Sequence, residues 1–263
     1  MTSPEPRWSE NPPGLDDADR SDWIAVLPLG ALEQHGPHLP PETDSIIAEG
    51  IVEHVISVLP NDLPVTFLPV EPVGYSVEHV DFGDTKTLSF DEAVHRWLGI
   101  AGDLHAAGVR KFVMLNAHGG NSPLMTIVAT EARIRFAMLA VATSWTRFGL
   151  PPDTITADEK AFGIHAGEIE TSVMLALRPD LVDMKRADDF LSLQAELEHE
   201  TRLLRAYGPH AFGWKMRDLN PKGATGNALA ATAEKGQRLI DHSVAGFIDL
   251  LRDVDGFDLE RLA

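Results

Sequence analysis

Cysteine is absent from this 263-residue chain. That excludes disulfide staples and thiolate chemistry, and it leaves His, Asp and Glu as the side chains able to hold a metal ion. Such a donor set suits zinc, manganese or iron, but not an iron–sulfur cluster. Basic residues are scarce: 22 Lys and Arg stand against 40 Asp and Glu, a formal charge of −18. A chain this acidic is not built around nucleic acid or an anionic membrane surface. Long hydrophobic runs are missing too, since none approaches the roughly 20 residues that span a bilayer. The first 22 residues are polar, acidic and proline-rich, without the apolar core of a secretory signal. The expectation is a cytoplasmic protein with a loose N-terminal arm over 1–22 and a single domain over 23–263.

Short apolar runs alternate with segments of helical period. Strands are expected at Ile24–Leu29, Val65–Val70, Lys111–Leu115 and Met138–Thr143. Helices are expected at Asp44–Val58, Phe90–Ala107, Pro123–Phe136, Glu168–Leu177, Phe190–Tyr207 and Ala228–Arg252. Alternation of this kind predicts βαβ units and a mostly parallel sheet. Ser122-Pro123 reads as an N-cap with proline in the first turn. Two long polar connections, Gly149–Gly163 and Tyr207–Gly226, have the length of binding loops.

Four segments carry candidate chemistry. Glu33, His35 and Asp44 follow the first strand in a Gly/Pro-rich loop, and ligands of open parallel sheets bind at that edge. Two acids and an imidazole there suit a divalent metal, although Asp44 also stands where a helix N-cap belongs. Val113-Met-Leu-Asn-Ala-His-Gly-Gly-Asn-Ser-Pro123 brings a strand straight into His118 and Asn121. His118 beside two glycines reads better as a ligand than as a core residue, and the loop lacks a P-loop lysine. In His165-Ala-Gly-Glu-Ile-Glu170, helical spacing puts His165 and Glu168 on one face and turns Glu170 away. Ser76, Glu78 and His79 follow the second strand without a nucleophile elbow, and are assigned to substrate or subunit contact. Trp145, just past the fourth strand, is placed either in the pocket or in the core.

Taken together and in this order, these motifs resemble the creatininase (creatinine amidohydrolase) family from about Ile24 to Leu251, and Gly223-Ala-Thr-Gly-Asn with Ala231-Thr-Ala-Glu-Lys-Gly236 fits its C-terminal part. The resemblance implies a three-layer α/β/α fold, a dinuclear centre of Zn and/or Mn (or Fe), and a homo-oligomer, a hexamer built from dimers. It implies that Glu33 and His118 bind one metal, that His35 binds the other, and that Asp44 bridges them. Creatininase itself carries a ligand Glu in an H-x-E-N segment; here Gly120 stands in its place, and Glu168 is expected to complete the second metal's coordination instead. His165 is expected to be the general base and acid, with Ser76, Glu78, His79, Asn121 and Trp145 near the substrate. Ala161 and Ile164 stand where creatininase has a Trp and a Glu, and Phe82-Gly-Asp-Thr85 replaces F-P-G-T. The chain is thus closer to the HGGN/HAGE branches, which include deformylases of pyrimidine intermediates and peptidases of redox-cofactor maturation. The expected activity is metal-dependent hydrolysis of a C–N bond in a cyclic or small amide. The alternatives are a formamide deformylase, a metallopeptidase or a non-catalytic scaffold.

Overall fold

The computed structural model describes residues 3–11 and 20–262. Four parallel strands form the centre: β1 (Ile24–Leu29), β2 (Val65–Phe67), β3 (Lys111–Asn116) and β4 (Leu139–Ser144), in the order β2-β1-β3-β4. β1 and β3 pair in register from Ile24↔Lys111 to Leu29↔Asn116. Both strands are buried along their whole length, as parallel strands covered on both faces must be.

Alternate residues of these strands feed two cores. Ile24, Val26, Val113 and Leu115 face one way, towards α1 (Thr43–Val58), α5 (Glu168–Leu177) and α8 (Ala233–Asp255). Ala25, Leu27, Phe112 and Met114 face the other way, towards α2 (Phe90–Ala106) and α3 (Ser122–Phe136). The result is the expected α/β/α three-layer sandwich. Local signals set the helix ends: Ser89 and Glu92 form a reciprocal capping box on α2, and Ala137 closes α3 in the left-handed conformation at φ 54°. The remaining elements are short: α4 (Ala157–Phe162), α6 (Leu193–Glu200), α7 (Met216–Leu219) and an antiparallel pair, β5 (Asp189–Phe190) with β6 (Gly226–Asn227).

Two expectations are corrected. The helix predicted over 190–207 is only α6, because Ser192 caps its start and Thr201 ends it in extended backbone. The chain then turns back, and the Gln194 side chain accepts from the backbone N–H groups of Ala206 and Tyr207. The described part of the N-terminal arm is not loose either: Phe67 donates to Pro6 O, Arg7 pairs with Glu49 and Glu53, and Trp8 packs on the second core. Met1, Thr2 and positions 12–19 of that arm lie outside the described residues. Among the described residues no helix is long and apolar enough to cross a membrane.

Candidate functional site

The carboxyl ends of β1 and β3 deliver the site. Beyond Leu29 the chain carries Glu33 and His35 into the interior, and the first turn of α1 adds Asp44. Beyond Asn116 comes His118, and the 3-10 turn after β2 brings Glu78 and His79. The segment before α5 adds His165. Glu33, His35, Asp44, His79, His118 and His165 are all buried.

Asp44 lies between two rings. Its Oδ1 is 3.4 Å from His35 Nε2 and its Oδ2 is 3.4 Å from His118 Nδ1. Glu33 Oε1 is 3.1 Å from His118 Nδ1, 3.5 Å from His79 Nε2 and 3.6 Å from His165 Nδ1. Three of the imidazoles are anchored by main-chain carbonyls through the opposite nitrogen. His35 Nδ1 donates to Glu33 O at 2.9 Å, His118 Nε2 to Tyr75 O at 3.0 Å and His165 Nε2 to Gln34 O at 2.7 Å. Those hydrogen bonds use one nitrogen of each ring and leave the other facing the carboxylates.

Electrostatics follow from this crowding. Burial works against charge on every member, but neighbours of opposite sign reverse it for some. Burial pulls His35 down, yet the Asp44 and Glu170 carboxylates lift it to about 10. His118 is likewise raised well above its ordinary value, by Glu33 and Asp44 against burial. The two acids are lowered despite burial, Glu33 by His118 and His79, and Asp44 by His35 and His118. For His79 and His165 burial prevails: His79 falls to about 4, and His165 lies well below its usual range, with the cationic His35 adding to the effect.

Two expected residues exchange places on α5. Glu168 is buried on the far side, where Lys235 of α8 pairs with it, and it faces none of the clustered histidines. Glu170 is the acid that joins His35 and His165, and its Oε2 accepts from Ala166 N at 2.6 Å. The reason is local. The helix starts only at Glu168, and Ala166 sits at φ 53°, so His165 is not on the helix and helical spacing does not relate it to Glu168.

Ligand-type groups converge in four sets whose donor atoms lie within 4.8 Å of one another: Glu33/His35/Asp44, Glu33/Glu78/His118, Glu33/His79/His165 and His35/His165/Glu170. Glu33 Oε2 and His35 Nε2 are buried and meet no hydrogen-bond partner of good geometry. Buried polar atoms are normally satisfied, and lone pairs of acids and neutral imidazoles aimed at common points fit divalent cations.

The structure also explains the glycine at 120. A Cβ there would lie 2.5 Å from both Glu78 Oε1 and Tyr75 O. Glycine lets Glu78, whose Oε1 is 3.6 Å from His118 Nε2, approach this side of the ring. Glu78 and His79, assigned by sequence to substrate contact, therefore lie within the cluster; their position after a strand end was the only signal.

Two other residues expected near substrate are buried behind the site. Asn121 ties loops together, donating to Gly30 O at 3.1 Å and accepting from Tyr75 N at 2.9 Å. Ser76 is fully buried, with Oγ 3.3 Å from His118 Nε2. Neither lines the cavity that opens above the cluster, which measures about 650 Å³ and is walled by Glu78, His79, His118, His165, Glu170 and Trp145 among others.

Glu159 of α4 was not singled out by sequence. It is buried, and its two oxygens accept from Glu168 N at 2.7 Å and Asn227 N at 2.8 Å. A Cβ on Gly167 or Gly226 would collide with it. One carboxylate thus clamps the start of α5 to β6, beside the His165 segment, which is itself held by Thr225 N donating to His165 O at 2.8 Å.

A parallel α/β sandwich with an acid–imidazole cluster at its carboxyl edge has the build of a hydrolase. The creatinine amidohydrolase family profile matches residues 10–251, and the chain belongs to the creatininase family. It is 29% identical over 231 residues to the mycofactocin precursor peptide peptidase of Mycolicibacterium smegmatis, covering 87% of this chain and 84% of the relative. It is 33% identical over 256 residues to the 2-amino-5-formylamino-6-ribosylaminopyrimidin-4(3H)-one 5'-monophosphate deformylase of Methanobrevibacter smithii, covering 91% of each chain. The fold matches the solved creatininase structure in its manganese form with a TM-score of 0.72 at 26% identity, over 90% of this chain and 92% of that one. The relatives are hydrolases of C–N bonds.

Proposed function

We propose that this chain is a dinuclear, metal-dependent amidohydrolase. The observation that carries the reading is Asp44, whose two oxygens face nitrogens of two different histidines, His35 and His118. Glu33 and His118, with Glu78 alongside, would hold one ion; His35 and Glu170 would hold the other; Asp44 would be shared. Four carboxylates then balance two divalent charges. The donor set suits Zn²⁺ or Mn²⁺. When bound, such ions supply Lewis acidity that polarises an amide carbonyl and acidifies water.

The chain's own residues supply proton transfer and orientation. His165 lines the cavity with its Nδ1 free to accept, because Nε2–H is spent on Gln34 O. Burial holds it well below the ordinary imidazole range and so neutral. A neutral imidazole so placed takes a proton from the attacking water and returns it to the leaving nitrogen. Glu159 holds α5, and with it Glu170, in register.

The cavity supports a substrate larger than a creatinine ring. About 650 Å³ lies in the range of drug-sized ligands. That favours a formamide on a nucleotide-like body, or a short peptide, over a small cyclic amide. The exposed Ile127 and Ile134 of α3, seven residues apart, offer apolar surface for the expected homo-oligomer.

The test is metal analysis by plasma mass spectrometry, paired with a panel of cyclic amides, formamides and short peptides before and after chelation. About two ions per chain and chelator-sensitive hydrolysis are expected. A metal-free protein that takes up neither Zn²⁺ nor Mn²⁺ overturns the reading.

A further inference from the structure

The cavity is lined by two chemically different sets of side chains. One is the cluster, where the lining's carboxylates among the described residues, Glu78 and Glu170, sit against histidines. The other includes two permanent cations: Arg147, on the 3-10 turn after β4, and Lys160, on α4. Among the described residues neither takes part in an ion pair, so both charges are open to a ligand. Arg147 is also held in place, its Nη1 donating to Ala142 O at 3.1 Å, which leaves its other nitrogens uncommitted. The lining is also aromatic, with Trp145 buried, Phe212 and Trp214 half-buried and Tyr207 64% exposed.

We propose that this second set is an anion-recognition subsite, in which Arg147 and Lys160 bind a carboxylate or phosphate carried by the amide substrate while the aromatic residues cover its apolar body. The inference rests on the amidohydrolase reading only for the word amide; the subsite itself is a binding claim. Its physics is ordinary. Cations that line the cavity of an acidic protein admit an anion that its acidic surface repels. A guanidinium with free donors binds a carboxylate or phosphate in a fixed orientation. An anion seated on these cations anchors one end of the substrate, while the clustered side chains of the same cavity are left to the scissile bond. A neutral amide the size of creatinine meets none of these contacts.

The test is calorimetric binding to the metal-loaded protein, so it stands whether or not hydrolysis is seen. The probes are N-acetylphenylalanine, its uncharged C-terminal amide, phenyl phosphate and phenol. The carboxylate should bind more tightly than the amide, and the advantage should shrink by about three- to tenfold in Arg147→Gln, in Lys160→Gln, and in wild type at high salt, as expected for partly exposed charges. Comparing phenyl phosphate with phenol tells which anion is preferred, since the larger loss in the variants marks the cognate group. No preference for anions overturns the subsite. A preference that survives both substitutions and disappears on chelation also overturns it, because the anion then sits on the metal. If the preference behaves as expected but no amide is cleaved, the amidohydrolase reading fails alone.

Discussion

Glu168 and Glu170, two residues apart in the first turn of α5, send their carboxylates to opposite sides of the helix. Glu168 goes to Lys235 on α8, and Glu170 goes to the cluster with His35 and His165. The two acids are chemically alike and close in sequence, so a pair of isosteric substitutions separates their roles.

Glu170→Gln should drop metal content from about two ions towards one and cut kcat/KM by roughly 100-fold or more, the scale of losing a group that holds a metal site together. Glu168→Gln should keep both ions and lose only the partly exposed pair with Lys235, about 1 kcal/mol or a Tm fall of about 2–4 °C. Metal stoichiometry and thermal melts of the two variants decide it. Metal loss in Glu168→Gln with retention in Glu170→Gln reverses the assignment.

Asp44→Ala should empty both positions, since Asp44 faces both His35 and His118. The variant should purify with far less than one ion per chain and without amide hydrolysis, and added Zn²⁺ or Mn²⁺ should not restore it. Chelated wild-type protein, by contrast, should regain activity on metal addition. A fully loaded, active Asp44→Ala protein defeats the shared-ligand role.

Gly120→Ala tests the approach of Glu78. The added methyl meets His118 Nε2 and the Tyr75 carbonyl, which cannot rotate away, as well as Glu78 Oε1. Overpacking of this kind costs about 1–3 kcal/mol, and it should push Glu78 off His118, so metal occupancy falls along with Tm. An alanine variant with wild-type metal affinity shows that Glu78 has no part in binding.

Glu159→Gln should destabilise the protein by about 1–3 kcal/mol, because an amide offers one acceptor where two backbone N–H groups need one each. The loss depends on pH. Burial raises the Glu159 carboxyl above its ordinary value. Its contribution is therefore full below the unfolded-state pKa and is lost as pH rises through the raised folded value. The wild type's advantage should be largest at about pH 4 and narrower at about pH 8. Melts at the two pH values check this, and a gap that widens with pH contradicts it.

Much of this molecule was legible because strand and helix chemistry is local. β1 begins and ends where its apolar run does, and α5 spans the predicted residues. The loops that follow β1 and β3 carry acids and imidazoles that no core would tolerate unpaired, so Glu33, His35, Asp44 and His118 stood out. What the sequence hid was geometry that local pattern does not encode. The left-handed Ala166 turns His165 out of the helical frame and so exchanges Glu168 for Glu170. Glu78 reaches His118 across 40 residues of chain, through space that Gly120 leaves open. Glu159 looked like one more acid on a polar connection, and only tertiary structure surrounds it with backbone donors.

Three imidazoles of the cluster are held by the carbonyls of Glu33, Gln34 and Tyr75. A carbonyl belongs to every residue, so no side-chain replacement deletes it. The orientation of these rings is therefore a property of the main-chain path, inherited from the ends of β1 and β2. The acids, by contrast, are side chains and can be supplied from any loop that passes close enough. A carboxylate can therefore be exchanged between loops, as Glu78 stands in where Gly120 carries no side chain, while the imidazoles keep their orientation.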